Sequence, residues 1–273
     1  MSPAASRFRT WDDYYIPGTR VLQNRFTTAA QPYGVPEQRT LEGLEYGVTH
    51  ARLIELARNP IPGPMDYDHM KAIHRHIFQD VYEWAGQERV APTEGPMTKD
   101  GHAYFPAGPA LTARAEELYA QLAAKDELRG LPREQFIPEL GEIWGELNVV
   151  HSFREGNTRS QFAFFNQLTE QAGYTLHTEQ FRIGGPLREE FVQARYECQD
   201  TGSTARLAAV LDRGIDGGGR PKRTLSGPTP PGGNTPRSDL RNQIKGLAGH
   251  LQAQHDNLPR PTDLNRRRSG PTR

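Results

Sequence analysis

His151-Ser-Phe-Arg-Glu-Gly-Asn-Thr-Arg-Ser160 gathers an imidazole, a carboxylate, a Gly-Asn turn and an arginine into one short run. Before it, Phe136, Ile137, Leu140, Ile143, Trp144, Leu147 and Val150 recur at steps of three and four, behind Pro132 as a helix start. After it, Phe162, Phe165, Leu168 and Ala172 do the same until Gly173, a helix-ending residue. The pattern predicts two amphipathic helices joined by this run, with the loop lying at the start of the second helix.

The rest of the chain arranges itself around that pair. Leu41, Leu44, Val48, Leu53, Ile54 and Leu56 predict a helix over 37–58, stopped by Asn59-Pro60-Ile-Pro62-Gly-Pro64. Asp66 is the expected N-cap of the next helix, whose stripe of Met70, Ile73, Ile77, Phe78 and Val81 runs to about 84–86. His69, His74 and His76 lie in it, but no two are spaced i, i+4 as ligands on one helix face, so they read as packing or surface histidines. Thr98-Lys-Asp-Gly-His102 carries a hairpin turn at Asp100-Gly101. Further helices are expected over 109–128, 188–200 and 204–211, and residues 1–36 form an extended lead-in anchored by aromatic rings.

The elements so read are helices with one small hairpin turn. One domain is expected over 1–212, lead-in included. Residues 213–273, rich in Gly, Pro and Arg, hold too little apolar surface to offset the entropy of ordering and are expected to be a disordered basic tail, with at most a weak helix over 238–258.

The 33 basic and 33 acidic residues cancel, yet residues 213–273 carry twelve Lys/Arg against four Asp/Glu. The acidic body is not a general nucleic-acid binder; only the tail suits an anionic surface. A single cysteine, Cys198, excludes an internal disulfide and a cysteine-built zinc site. No apolar run approaches a membrane span, and the N-terminus lacks a secretory core. The expectation is a soluble cytoplasmic protein, or one delivered from there into another cell.

A helix N-terminus presents unpaired amides and partial positive charge, so it favours anions. Gly156 and Asn157 tolerate tight turning and close approach, and successive amides there form a nest for phosphate oxygens, to which Thr158 adds a hydroxyl and Arg159 a forked charge. Glu155 faces the same anions sensibly only with a divalent cation between, and Mg²⁺ typically takes one carboxylate plus phosphate oxygens. His151 is the group able to take a proton at neutral pH. Together they describe phosphoryl or nucleotidyl transfer. On chemistry alone a solvated connecting loop with an ordinary histidine fits about as well, because short motifs match by chance.

The run resembles the signature of the Fic domain family, H-x-F-x-(D/E)-G-N-x-R, at His151, Phe153, Glu155, Gly156, Asn157 and Arg159. Residues 73–86 resemble the family's early helix, 98–106 its flap hairpin and 191–198 its late helix beside the nucleotide base, so the similarity spans roughly 10–212. The resemblance implies the Fic fold, all-α, a helical bundle with a small β-hairpin flap beside the active-site loop, and transfer of AMP from ATP, with Mg²⁺, to a hydroxyl of a target protein. His151 would be the base, Glu155 the metal ligand, and Gly156, Asn157, Thr158 and Arg159 the phosphate cradle. The flap at Thr98, Lys99, Asp100, Gly101 and His102 would hold the target's backbone. Either a small antitoxin-like inhibitor is a further partner, which would make the chain the toxin of a pair, or that control is absent because the second arginine it acts on is gone. Transfer of another phosphate-containing group (phosphate or UMP) and a catalytically degenerate binding module are the alternatives.

Three positions depart from the family pattern. Ser152 stands where proline is common, Thr158 where glycine is, and Phe162 where many members carry a second arginine toward the terminal phosphate. Arg154 is the nearby charge that would compensate. No segment matches the family's inhibitory (S/T)-x-x-x-E-(G/N) pattern.

Overall fold

The computed structural model describes residues 7–93 and 95–217. Residues 218–273 of the expected tail, with the helix expected over 238–258, lie outside them. The elements in order are α1 (Gln38–Arg58), α2 (Tyr67–Phe78), β1 (Thr98–Lys99), β2 (His102–Ala103), α3 (Pro109–Ala124), α4 (Arg133–Val150), α5 (Asn157–Gln171), β3 (Tyr174–Leu176), α6 (Arg188–Thr201), α7 (Ala205–Arg213) and β4 (Ile215–Gly217). The architecture is a helical bundle with a small antiparallel hairpin, β1–β2.

α4 is the axis, packed by α3, α5, α6 and α7. Its apolar stripe is buried as the spacing predicts, and Trp144 stacks on Phe165 at 4.2 Å between ring centroids. Two glycines on α4 admit close neighbours: a Cβ on Gly141 would lie 3.0 Å from the Ala208 Cβ on α7, and one on Gly145 would lie 2.6 Å from the Cys198 Sγ on α6. Phe162 has joined this core, against Trp144, Phe181 and Phe191 at 5.0–5.6 Å.

Two local features differ from expectation. The second helix stops at Phe78, short of 84–86, because the chain turns back and the Gly86 N–H donates to His74 Nδ1 at 2.8 Å. The returning segment tucks Tyr82 and Trp84 beneath the helix as buried rings. The second difference is a further two-stranded antiparallel sheet, β3 with β4, pairing Leu176 with Ile215. These strands are three residues each, too short for an alternating pattern to register. The described fold therefore continues five residues past the boundary read at 212. The lead-in is anchored by rings as expected: Tyr14 is buried against Phe8, Trp11 and Trp84.

Asp66 caps α2, accepting the His69 N–H at 2.8 Å. The three histidines of this segment pack. His69 Nε2 meets Gln167 Oε1 at 2.8 Å, and His76 is half-buried. His74, 0 % exposed, stacks on Phe153 at 3.8 Å, accepts from Gly86 and donates its Nε2–H to the Glu155 carbonyl at 3.0 Å. A packing histidine thus pins the central loop to α2.

Burial holds His74 neutral, its pKa pushed down to about 3, with Arg159 adding a smaller push in the same direction. The unfolded chain, titrating near 6.5, binds a proton that the folded one refuses. Stability is therefore complete above about pH 6.5 and is lost as pH falls from there toward about 3, at up to ~1.4 kcal/mol per pH unit. Melting curves across that window should fall more steeply with acid for the wild type than for His74→Gln, and parallel curves would contradict this assignment.

Candidate active site

His151 closes α4 in a left-handed conformation, φ 49°, which is strained for a residue with a side chain. Arg89 holds it there. The buried guanidinium donates from Nε to the His151 carbonyl at 2.7 Å and from Nη2 to the carbonyls of Phe105 and Val150. It thereby serves carbonyls left without partners at the helix end, where a cation is also favoured by the helix dipole. Arg89 was not singled out from the sequence, because its partners are backbone atoms that leave no pattern.

The imidazole is 8 % exposed and stacks on Tyr104 at 3.8 Å. Its Nδ1 lies 3.3 Å from the Asn148 carbonyl. A carbonyl only accepts, so this contact assigns the proton to Nδ1 and leaves the lone pair on Nε2. Burial above all, then the guanidinium charges of Arg195 and Arg89, hold the His151 pKa well below the ordinary imidazole value. The ring is neutral at physiological pH and able to accept a proton.

The loop beyond it is locked by its own atoms. Asn157 Oδ1 accepts the Phe153 N–H at 2.9 Å while its Nδ2 donates to the Phe153 carbonyl at 2.7 Å. Phe153, 2 % exposed, is the core anchor. Gly156 has φ 82°, and its missing Cβ would lie 2.2 Å from the Phe78 ring. The first helical bond of α5 runs from Ser160 N to the Gly156 carbonyl, so the amides of Asn157, Thr158 and Arg159 precede it as first-turn donors. The Gly156 amide donates to its neighbour's carboxylate, Glu155 Oε1, at 3.0 Å.

The charged side chains divide. Arg159 turns toward α1: it pairs with Glu45, donates to Thr49 Oγ1 at 3.1 Å and lies over the Phe78 ring, with Glu155 at 3.7 Å. Arg154 does not take the place of a charge at 162. Its guanidinium stacks on Trp11 at 4.3 Å and donates to the Tyr15 hydroxyl at 3.0 Å, because the aromatic lead-in offers it π-faces. Arg195, on α6, comes to the loop instead. It bonds Asn148 Oδ1 through Nε at 2.9 Å and also through Nη2, and Thr158 Oγ1 through Nη1 at 3.4 Å. The resemblance over 191–198 placed its segment near the nucleotide without singling out this residue, which lies thirty-six positions beyond Arg159.

Glu155 is a half-exposed carboxylate, and no group of three or more His, Cys, Asp or Glu side chains able to hold a metal occurs among the described residues. A cation at Glu155 would therefore take its other ligands from a bound substrate and water, which suits Mg²⁺.

The hairpin is built as its turn residues require. Asp100 (φ 52°) and Gly101 (φ 88°) both take positive φ, and Lys99 faces His102 in register. It is fastened to α6: His102 Nδ1 meets Asp200 Oδ1 at 2.8 Å, its ring stacks on Tyr196 at 4.0 Å, Asp100 accepts from the Tyr196 hydroxyl, and Gln199 donates to the Ala103 carbonyl. Thr98 and Lys99 stay exposed. Tyr104, just past β2, links the hairpin to the His151 ring. The structure thus brings His151, the 155–159 loop and the hairpin to one end of the α4–α5 pair. No described helix is long and apolar enough to cross a membrane.

Comparison with known proteins agrees with this arrangement. Residues 64–169 match the model of the Fic/DOC family. The probable protein adenylyltransferase y4lH of Sinorhizobium fredii is 39% identical over 206 residues, covering 75% of this chain and 96% of that protein. The protein adenylyltransferase VbhT of Bartonella schoenbuchensis is 35% identical over 204 residues; there the match spans 75% of this chain but only 39% of the relative's length. The fold is similar to that of the BepC protein of Bartonella tribocorum, solved with bound AMPPNP, with a TM-score of 0.65 at 22% identity over 76% of this chain and 97% of that one. With the His151 signature, the locked loop and the hairpin all in position, this chain belongs to the Fic/DOC family.

Proposed function

We propose that this chain is a protein adenylyltransferase that moves AMP from ATP to a hydroxyl side chain of a target protein. The observation that carries the reading is a buried, neutral imidazole with its lone pair on Nε2, set at the end of α4 beside the first-turn amides of α5. Relatives named as protein adenylyltransferases and a neighbour solved with AMPPNP support it.

In the reaction, His151 Nε2 takes the proton as the target's hydroxyl oxygen attacks the α-phosphorus. The new P–O bond forms as the bond to the β-phosphate oxygen breaks, and pyrophosphate leaves with that electron pair. The amides of Asn157, Thr158 and Arg159 and the turn at Gly156 hold phosphate oxygens, in a nest already oriented before substrate arrives. Glu155 would hold Mg²⁺, which when bound offsets phosphate charge. Thr98, Lys99, Asp100, Gly101 and His102 present a short exposed hairpin to which a target segment adds as a strand, a mode that reads backbone rather than sequence. A small inhibitor protein, making this chain the toxin of a pair, would supply from outside the inhibitory pattern that this sequence lacks.

The test is incubation with labelled ATP, UTP or GTP and a cell lysate, with His151→Ala as background. Label moving from ATP alone to protein, and only with the wild type, is the expected result. Transfer from UTP instead would reassign the donor. No transfer above the His151→Ala background from any of the three would overturn the enzyme reading in favour of a binding module.

A further inference from the structure

The cations around the loop are committed to different partners. Arg159 is paired with Glu45, Arg154 is stacked on the lead-in rings, and Arg89 is surrounded by the carbonyls at the end of α4. Arg195 differs. It is only 8 % exposed, and its hydrogen bonds go to a neutral amide oxygen and a neutral hydroxyl. No carboxylate is among its hydrogen-bond partners or the groups that act on its charge. A buried guanidinium without a counter-ion is costly, and such groups normally face an anion. Its forked donors exceed the bonds it makes, and it reaches Thr158, whose amide belongs to the first turn of α5. It is also near enough to His151 to depress that imidazole.

We propose that Arg195 is a phosphate-binding residue, its guanidinium donating to an oxygen of the nucleotide's phosphate chain held at the start of α5. The proposal rests on the nucleotide-binding reading of the same loop. The side chain at 162 is an apolar ring turned into the core and supplies no charge. Arg195 brings one from α6, with Asn148 fixing its orientation and the Thr158 hydroxyl hydrogen left free for the same phosphate. The anion is then met from two directions, by amides along the axis of α5 and by a planar cation from the side. Adenosine, lacking phosphate, gains nothing from this arginine.

Titration of the wild type, Arg195→Gln and Arg195→Lys with ATP and with adenosine tests this. Arg195→Gln keeps a donor for Asn148 and should bind ATP about 10–100-fold more weakly, with adenosine affinity unchanged; Arg195→Lys, which keeps charge without the fork, should fall between. Equal loss for both ligands, the mark of a structural residue, would overturn the proposal, as would an Arg195→Gln variant that binds ATP as well as the wild type does. A wild type that does not prefer ATP over adenosine would instead sink the nucleotide-binding reading itself.

Discussion

His151→Ala should reduce label transfer from ATP by about 10²–10⁴-fold, the range set by loss of a positioned general base, while leaving ATP affinity within a few-fold. In the proposed reading the two effects separate because the imidazole would act through Nε2 on the proton, whereas the nucleotide would be held by the first-turn amides of α5. The pH profile carries the same information. Burial and the charges of Arg195 and Arg89 hold the imidazole well below its ordinary pKa. A base must be unprotonated to act, so kcat/KM should stay level as pH falls through about 6.5, where an unperturbed histidine would already be half lost. An acid limb centred at or above 6.5 would show that the imidazole does not sit in the environment described. Transfer persisting in His151→Ala would show that the base is another group.

Gly156→Ala should be strongly destabilising for a change of one methyl group. Its φ of 82° costs an L-residue roughly 1–2 kcal/mol, and the new Cβ would lie 2.2 Å from Phe78, whose ring is wholly buried. Overpacking of that kind adds about 1–3 kcal/mol, for a total of about 2–5 kcal/mol. The loop that would move to relieve the clash is the one that aligns the first-turn amides, so transfer should fall along with the melting temperature. Phe78→Leu combined with Gly156→Ala should cost less than the sum of the two single changes. Strict additivity would show that the ring is not what the glycine accommodates.

These two residues illustrate how differently a site can be written in a sequence. His151, Glu155, Gly156 and Asn157 are consecutive or nearly so, because the chemistry happens at one helix start and a helix start is a local object. The hairpin was legible for the same reason: Asp100-Gly101 is a two-residue instruction for positive φ. Helices with long apolar stripes were legible because burial on one face imposes a period. The sequence alone therefore determined the main helices and their order, the hairpin turn and the central loop.

What surrounds those residues was decided by packing across long separations. Glu45 reaching Arg159, Arg89 capping the turn at His151, His74 pinning the Glu155 carbonyl and Arg195 reaching Thr158 each join segments that no local pattern connects. Arg154 and Arg159 lie in the same loop, yet the fold sends one to the lead-in rings and the other to α1. A charge's position in sequence says that it is available. Which anion, ring or carbonyl it serves depends on which surfaces desolvate together when the helices pack, because burial is what makes an unpaired charge costly and a paired one directional. Only the tertiary structure decided which groups surround the His151 ring and brought Arg195 from α6 to Thr158.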